Sequence, residues 1–240
     1  KMKKNKCLLN TSSVTIVPGL TVRIPTVGEI LEDEAAYYGI VSALTATPFQ
    51  YMVQLDDLGI DYTSITDYEL FKMLFPVYAG SDLSILFGDL YVSDFALYQD
   101  ENAKEIIYSP ASRIEINENV YNDLADMIRK INLLEKVKSK PGNAAARKYL
   151  LEKERKKQKR NAGKKSEPYL EKLVTALVNT CEFPYDYDTC MNLSIYRFNQ
   201  SFKQIQHKIV FDNTMIGVYA GTVDTSRMSS KDALSWISNK

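Results

Sequence analysis

The chain has 240 residues, of which 45% are hydrophobic and 25% are charged, and its formal net charge at pH 7 is zero. This composition excludes a wholly disordered chain and supplies enough mass for one large domain or two small ones. No run of residues approaches the roughly 20 apolar positions that a membrane-spanning helix requires.

The neutral total conceals two blocks of opposite charge. Residues 28–105 contain fifteen Asp and Glu but two Lys, whereas residues 140–165 contain eleven Lys and Arg but two Glu. The basic block is rich in helix-forming residues and poor in large apolar ones, which predicts a long helix that is polar on nearly all sides. Such a helix projects into solvent, bridges two parts of the chain or contacts a partner. We expect the two blocks to contact each other, within one chain or between copies.

The N-terminal part begins with alternating residues that predict two short strands, turned at Pro18-Gly19. Thr26 and Thr66 each precede a Glu by three residues, the spacing of a capping box at the start of a helix. The predicted helices cover residues 26–46, 48–58 and 66–78. The last of them is apolar on nearly every side, so we expect it to be buried and to end or kink at Pro76.

The period changes in the middle of the chain. Residues 90–116 predict a small β-hairpin or three-stranded meander, and residues 117–134 return to helical spacing. Further helices are predicted at 144–165, from Pro168 onward, at 194–209, and in a short C-terminal piece that ends near Trp236. On the 194–209 helix, large apolar residues recur at intervals of three and four and predict a core-facing side: Ile195, Phe198, Phe202, Ile205 and Ile209.

The fold class predicted from these elements is α+β, predominantly α-helical. We expect an acidic α+β N-terminal domain at 1–137 with the small antiparallel meander, a basic helical connector at 138–166, and a C-terminal helical bundle at 167–240.

Residue types that carry chemistry are scattered. Asp186-Tyr187-Asp188-Thr189 approaches the pattern of an aspartyl-phosphate nucleophile, but it lacks a preceding apolar strand, so a turn before a helix is the preferred interpretation. His207 is interpreted as a surface or helix-end histidine. Three unpatterned cysteines and this single His make no zinc site of recognisable spacing and are expected to stay reduced in a cytoplasm. The sequence therefore predicts no cofactor, no metal and no enzymatic activity.

Nucleic acid is a weaker candidate partner for the basic block. About six to ten phosphate contacts would give the basic block an affinity for nucleic acid that weakens as the salt concentration rises. However, no aromatic residues lie between the cations to stack on bases, and the acidic block would repel a polyanion.

Three segments, in this order, resemble a known group of proteins. They are IPTVGEILEDEAAYYGIVSALTATPFQYMVQLDDLGIDYTSITDYELFKMLF, then NENVYNDLADMIRKINLL with a lysine-rich helix, then MNLSIYRFNQSFKQIQHKIVFDNTMIGVYAG closed by SWISNK. The order resembles tail-morphogenesis proteins of the tail assembly chaperone-like type, from tailed phages and prophages of Gram-positive bacteria. The resemblance extends over nearly the whole chain and rests on order and pattern, not on an invariant site.

The resemblance implies a non-catalytic assembly factor in the cytoplasm of the infected bacterial host. It would bind another tail protein, such as the tape measure or the tube, until the tail polymerises. Candidate partner-binding residues lie in an aromatic segment at 68–78 and in a polar arm at 147–165: Tyr68, Phe71, Phe75, Tyr78, Arg147, Lys156, Lys157 and Arg160. The β segment at 90–116 departs from an all-helical chaperone.

Two alternatives remain open from the sequence. In the first, the chain is a structural minor tail or connector protein of the virion. In the second, it is a phage protein that inhibits a host defence system or is sensed by one. Self-association through the acidic and basic blocks is compatible with any of these functions.

Overall fold

The computed structural model describes residues 7–100, 103–137, 141–163, 168–228 and 230–238. The fold is α+β and predominantly helical, as predicted. The strands in this part of the chain are β1 (Ser13–Val17), β2 (Leu20–Arg23), β3 (Ala96–Gln99), β4 (Glu105–Ser109) and β5 (Ile114–Ile116). The helices are α1 (Val27–Glu32), α2 (Glu34–Leu44), α3 (Met52–Asp57), α4 (Asp67–Tyr78), α5 (Ser84–Phe87), α6 (Glu118–Ile131), α7 (Ala144–Asn161), α8 (Leu170–Val178), α9 (Tyr187–Met191) and α10 (Ile195–Tyr219).

The predicted hairpin is confirmed: β1 and β2 pair antiparallel, with Val14 opposite Val22 and Val17 opposite Leu20. Gly19, in the turn, has a φ of +87°, and a Cβ there would lie 2.9 Å from the Ile114 side chain. Glycine therefore satisfies both the left-handed turn and the close approach of β5.

The helix predicted over 26–46 is two helices, because Asp33 breaks it. Asp33 has φ −151° and ψ 79°, and its carboxylate accepts a hydrogen bond from the Ala36 amide to cap α2. The capping boxes at Thr26 and Thr66 are confirmed in both directions. A polar residue with strong N-cap character thus interrupts an otherwise continuous helical pattern.

Helix α4 is only partly buried, which corrects the prediction that it is covered on all sides. Four of its residues lie in the core, whereas Met73 and Val77 are exposed. Pro76 does not end the helix, which continues to Tyr78. The residue composition was apolar on every side, but α4 packs at the edge of the fold and places one face against α2 and α6.

Helix α6 is the centre of the fold. It contacts the helices α2, α4 and α10 and the strands β1, β2 and β5. Its core residues are almost fully buried: Tyr121, Leu124, Ala125, Met127, Ile128 and Ile131. The predicted three-stranded meander is also confirmed, with β4 between β3 and β5 in an antiparallel sheet.

The C-terminal helices are built into the same core. Side chains of α8, α9 and the first half of α10 belong to the large cluster that also includes the hairpin and α6. The Val27 amide donates to the Leu193 carbonyl (2.8 Å), and the Ile195 amide donates to the Pro25 carbonyl (2.8 Å), so the starts of α1 and α10 are joined. The domain boundaries predicted at 138 and 166 stay predictions, and residues 138–140 and 164–167 lie outside the described residues.

A second, smaller apolar cluster lies beneath α3. Its buried members are Ala46, Met52, Val53, Leu55, Tyr62 and Leu70. Leu150 and Leu151 of α7 pack against it and are themselves half-buried.

Candidate protein-interaction surfaces

The aromatic segment at 68–78 is largely core. Tyr68, Phe71 and Phe75 are buried, and Tyr78 is half-buried. The Phe71 ring stacks on that of Tyr121 with centroids 4.3 Å apart. The Tyr68 hydroxyl donates to the Ile116 carbonyl at 2.6 Å. Contact of this segment with a partner stays a prediction, and in the chain alone Tyr78 is the member of the four that reaches solvent.

The basic helix α7 lies against the acidic helix α3. Arg147 pairs with Asp61, and Arg155 pairs with both Asp56 (2.7 Å) and Asp57 (2.6 Å). Hydrogen bonds from Thr63 and, to a smaller extent, the nearby Arg147 lower the pKa of Asp61. The expected contact between the two charge blocks is thus present within the chain, over the described part of the basic block.

The outer side of α7 carries the other polar candidates. Lys156, Lys157 and Arg160 are all exposed, and Lys157 lies 3.4 Å from the Glu154 carboxylate. Because these side chains are exposed, their cations are accessible to an acidic partner. Their role in binding stays a prediction.

The second half of α10 exposes an apolar face that the sequence interpretation missed. The helix was expected to end near Ile209 but runs on to Tyr219. Four large apolar residues on it are exposed by 43% to 83%: Ile209, Val210, Ile216 and Tyr219. Ile209, Asn213, Ile216 and Ala220 follow one another at spacings of four, three and four, which places them on one side of the helix, with Tyr219 next to Ile216. Val210 lies about 100° around the helix from Ile209 and is not part of this exposed face. The spacing of apolar residues through Tyr219 was the signal available in the sequence.

The C-terminal segment returns along the middle of α10 and contacts it. The Gln204 side chain donates to the Trp236 carbonyl at 2.6 Å, and the Ser238 amide donates back to the same side chain at 3.0 Å. His207 is half-buried and hydrogen-bonds the Ser235 carbonyl through Nε2 (2.7 Å), which is compatible with its interpretation as a surface histidine, although it lies within the helix and not at its end. A Cβ at Gly217 would lie 2.6 Å from Val223, so the returning chain packs closely there.

The predicted core-facing side of α10 therefore divides along its length. Ile195, Phe198 and Ile205 are buried and Phe202 is half-buried, but Ile209 is 43% exposed. In the range 206–219, where every residue is described, none is buried. The first half of the helix is core and the second half is surface.

Asp186 lies at the start of a helix, which agrees with the preferred interpretation of this segment as a turn before a helix. Its carboxylate accepts from the Thr189 amide at 2.8 Å and caps α9. Across the residues that the structure describes, no three His, Cys, Asp or Glu side chains are grouped so that they could hold a metal ion. No helix in that part of the chain is both long and apolar enough to cross a membrane.

Comparison with known proteins gives one match. Residues 157–240, from the last turn of α7 through the C-terminal segment, match the family model described as YomV second domain, where YomV is a Bacillus phage or prophage protein. No curated protein and no solved structure matches the chain. The exposed face of α10 lies inside the matched residues, and the similarity indicates a phage origin for the chain.

Proposed function

We propose that the chain is a non-catalytic phage assembly factor of the tail assembly chaperone type. In the cytoplasm of the infected bacterium it binds an amphipathic helix of another tail protein, such as the tape measure. The phage association of residues 157–240 and the resemblance of the whole chain to tail-morphogenesis proteins support this function.

The observation that carries the proposal is the exposed apolar face on the second half of α10. Ile216 and Tyr219 are 68% and 83% exposed, although both are large and apolar over most of their surface. Burying such side chains against a partner is favourable by roughly 25 cal/mol for each Å² of apolar surface removed from water. Contiguous exposed apolar residues with polar neighbours are typical of protein-interaction sites.

The chemistry of this face fits a helix. The polar Asn213 lies between Ile209 and Ile216, and a single polar residue in an apolar seam fixes the register of paired helices. Lys208 and Asp212 pair with each other at 2.6 Å beside the seam. A partner helix would lay its apolar side along the seam and place a polar group opposite Asn213.

Co-expression with the cognate tape-measure protein tests the proposal. Three forms of this chain are compared: wild type, Ile216→Asp on the proposed face, and Tyr91→Asp between α5 and β3. Tyr91 is a matched control, because it is large and 74% exposed but lies outside the proposed binding segments. We expect the wild type and Tyr91→Asp to co-purify with the tape-measure protein and keep it soluble.

Ile216→Asp should lose the complex while its circular dichroism spectrum and melting temperature remain those of the wild type. Equal co-purification of all three forms would contradict the use of this face. Absence of any complex, combined with recovery of the chain from mature particles, would contradict the chaperone function and favour a structural tail protein.

A further inference from the structure

Helix α7 packs against α3 in the way that a ligand helix packs in a binding groove. Arg147, Leu150, Leu151 and Arg155 all lie on the inner side of α7. The two leucines pack on the small apolar cluster, and the two arginines reach carboxylates on either side of it. Spacings of three, four and eight residues place all four on one face of a helix.

The fit of α7 in this site is incomplete. No residue of α7 is buried, although it is 18 residues long. A cleft of about 480 Å³ remains between α7 and the segment from Asp56 to Tyr62. The buried Tyr62 hydroxyl has no hydrogen-bond partner among the described residues. Buried polar groups are normally paired, so this hydroxyl is available to a group that α7 does not supply.

The forces that hold α7 are also weak. Its ion pairs involve side chains exposed by more than a third, and such pairs contribute little and weaken with salt. Half-buried leucines contribute less than core leucines do. A helix with a better apolar fit and the same flanking cations would therefore compete with α7.

We propose that α3 and the segment that follows it to Tyr62 form a helix-binding groove, the surface against which α7 packs. In the absence of a partner, α7 occupies this groove. The groove fits a basic amphipathic helix of another protein. That helix has two adjacent apolar residues, one cation three residues before this pair and a second cation four residues after it. A polar side chain on that helix would reach the Tyr62 hydroxyl. This second site does not depend on the face of α10.

A fluorescent peptide with the sequence of residues 143–163 is the probe, added to the full-length protein. In Arg155→Glu, the new carboxylate faces Asp56 and Asp57, so α7 leaves the groove and the groove becomes accessible. We expect this variant to bind the peptide about tenfold more tightly than the wild type. A ratio of about this size corresponds to the free energy of a few weak ion pairs, which no longer hold α7 in the groove against the peptide. Lys153→Glu is the matched control, because it changes the charge equally at an exposed position of α7 that takes no part in the ion pairs between α7 and the groove, and it should bind like the wild type.

Two further arms separate the site from a general charge effect. Adding Asp56→Arg and Asp57→Arg to Arg155→Glu restores a complementary contact and should return peptide binding to the wild-type level or below. A peptide in which Leu150 and Leu151 are replaced by Ser should not bind Arg155→Glu.

Trypsin gives an independent readout, because an undocked basic helix is cut at its lysines. Cleavage within α7 should be faster in Arg155→Glu than in Lys153→Glu, although each variant loses one cleavage site. Equal peptide affinity and equal cleavage in the two variants would overturn the proposal. A wild-type dimer held by exchange of α7 would also overturn it, since the occupant would then be a second copy.

Discussion

A group of buried polar residues joins α2 to α6. The Tyr37 hydroxyl donates to the Asn132 side chain at 2.8 Å, and the Asn132 amide group donates to the Ile128 carbonyl at 3.0 Å. Nearby, the buried guanidinium of Arg129 donates to the Thr45 carbonyl at 2.7 Å. These bonds satisfy groups at the ends of two helices that would otherwise be buried without partners.

Arg129→Met should destabilise the protein by about 1.5–3 kcal/mol. The substitution keeps most of the apolar stem but leaves the Thr45 carbonyl without its charged donor, and bonds to charged groups contribute at the upper end of the usual range. The free energy of unfolding from urea titration measures the effect. Lys153→Met, at an exposed position on α7, is the control and should change the stability by no more than about 0.5 kcal/mol.

Burial of tyrosines predicts a loss of stability at alkaline pH. Burial raises the pKa of Tyr38, Tyr51 and Tyr68 to about 12, and raises the pKa of Tyr37 and Tyr121 as well. In the unfolded chain these hydroxyls ionise near pH 10. Above that pH the unfolded state loses protons that the folded state retains, so the contribution is complete below pH 10 and is lost as the pH rises toward the folded values.

Melting temperature should therefore fall steeply between about pH 10 and 12, and the part of the tyrosinate absorbance that comes from these five tyrosines should appear together with the loss of helical signal. Tyr37→Phe provides the comparison. It removes one buried hydroxyl that titrates, so its stability at pH 7 should be lower and its further loss at high pH smaller. Gradual ionisation of all tyrosines at pH 10 in a still-folded protein would contradict this interpretation.

At the scale of single elements, α10 separates into a core half and a surface half. Phe198 is fully buried and meets the Phe183 ring edge-on at 6.1 Å. Phe198→Ala should cost about 3–5 kcal/mol, the usual range for truncating a buried phenylalanine. Ile216→Ala, on the same helix but exposed, should change the stability by less than about 0.5 kcal/mol. Thermal or urea unfolding measures both variants, and similar losses would show that the second half of α10 is covered.

Local signals in the sequence were enough to predict most elements. The capping boxes at Thr26 and Thr66 and the turn at Gly19 depend on neighbouring residues, and each lies where it was predicted. The break at Asp33 was missed because an N-cap residue inside an apolar period looks like an ordinary polar position. The ends of α10 were harder still to predict. Where a helix leaves the core, its apolar residues keep their helical spacing although they are no longer buried.

Long-range pairing could be predicted only in outline. Opposite charge predicted that the acidic and basic blocks meet, but composition could not select Asp61 for Arg147 or Asp56 and Asp57 for Arg155, pairs separated by 86 to 99 residues. The same limit applies to the aromatic segment, where apolar character does not tell a core contact from a partner contact. The rings of Tyr68 and Phe71 lie against Tyr121 of α6, whereas the ring of Phe75 meets Phe95 edge-on.

For the whole molecule, the shared core predicts one cooperative unfolding transition. The large cluster takes side chains from the hairpin, α6, α8 and α10, and the starts of α1 and α10 are bonded to each other. Calorimetry and circular dichroism should give coincident midpoints, as for a single cooperative unit. Two well-separated transitions would instead support independent N-terminal and C-terminal domains.

The central claim is that the second half of α10 binds a helix of another phage protein. Hydrogen–deuterium exchange of the full-length chain, with and without the cognate tape-measure protein, tests it most directly. We predict slower exchange at residues 206–219 in the complex, with Ile216→Asp showing no such change. Unchanged exchange at 206–219 in the presence of a bound partner would contradict the claim.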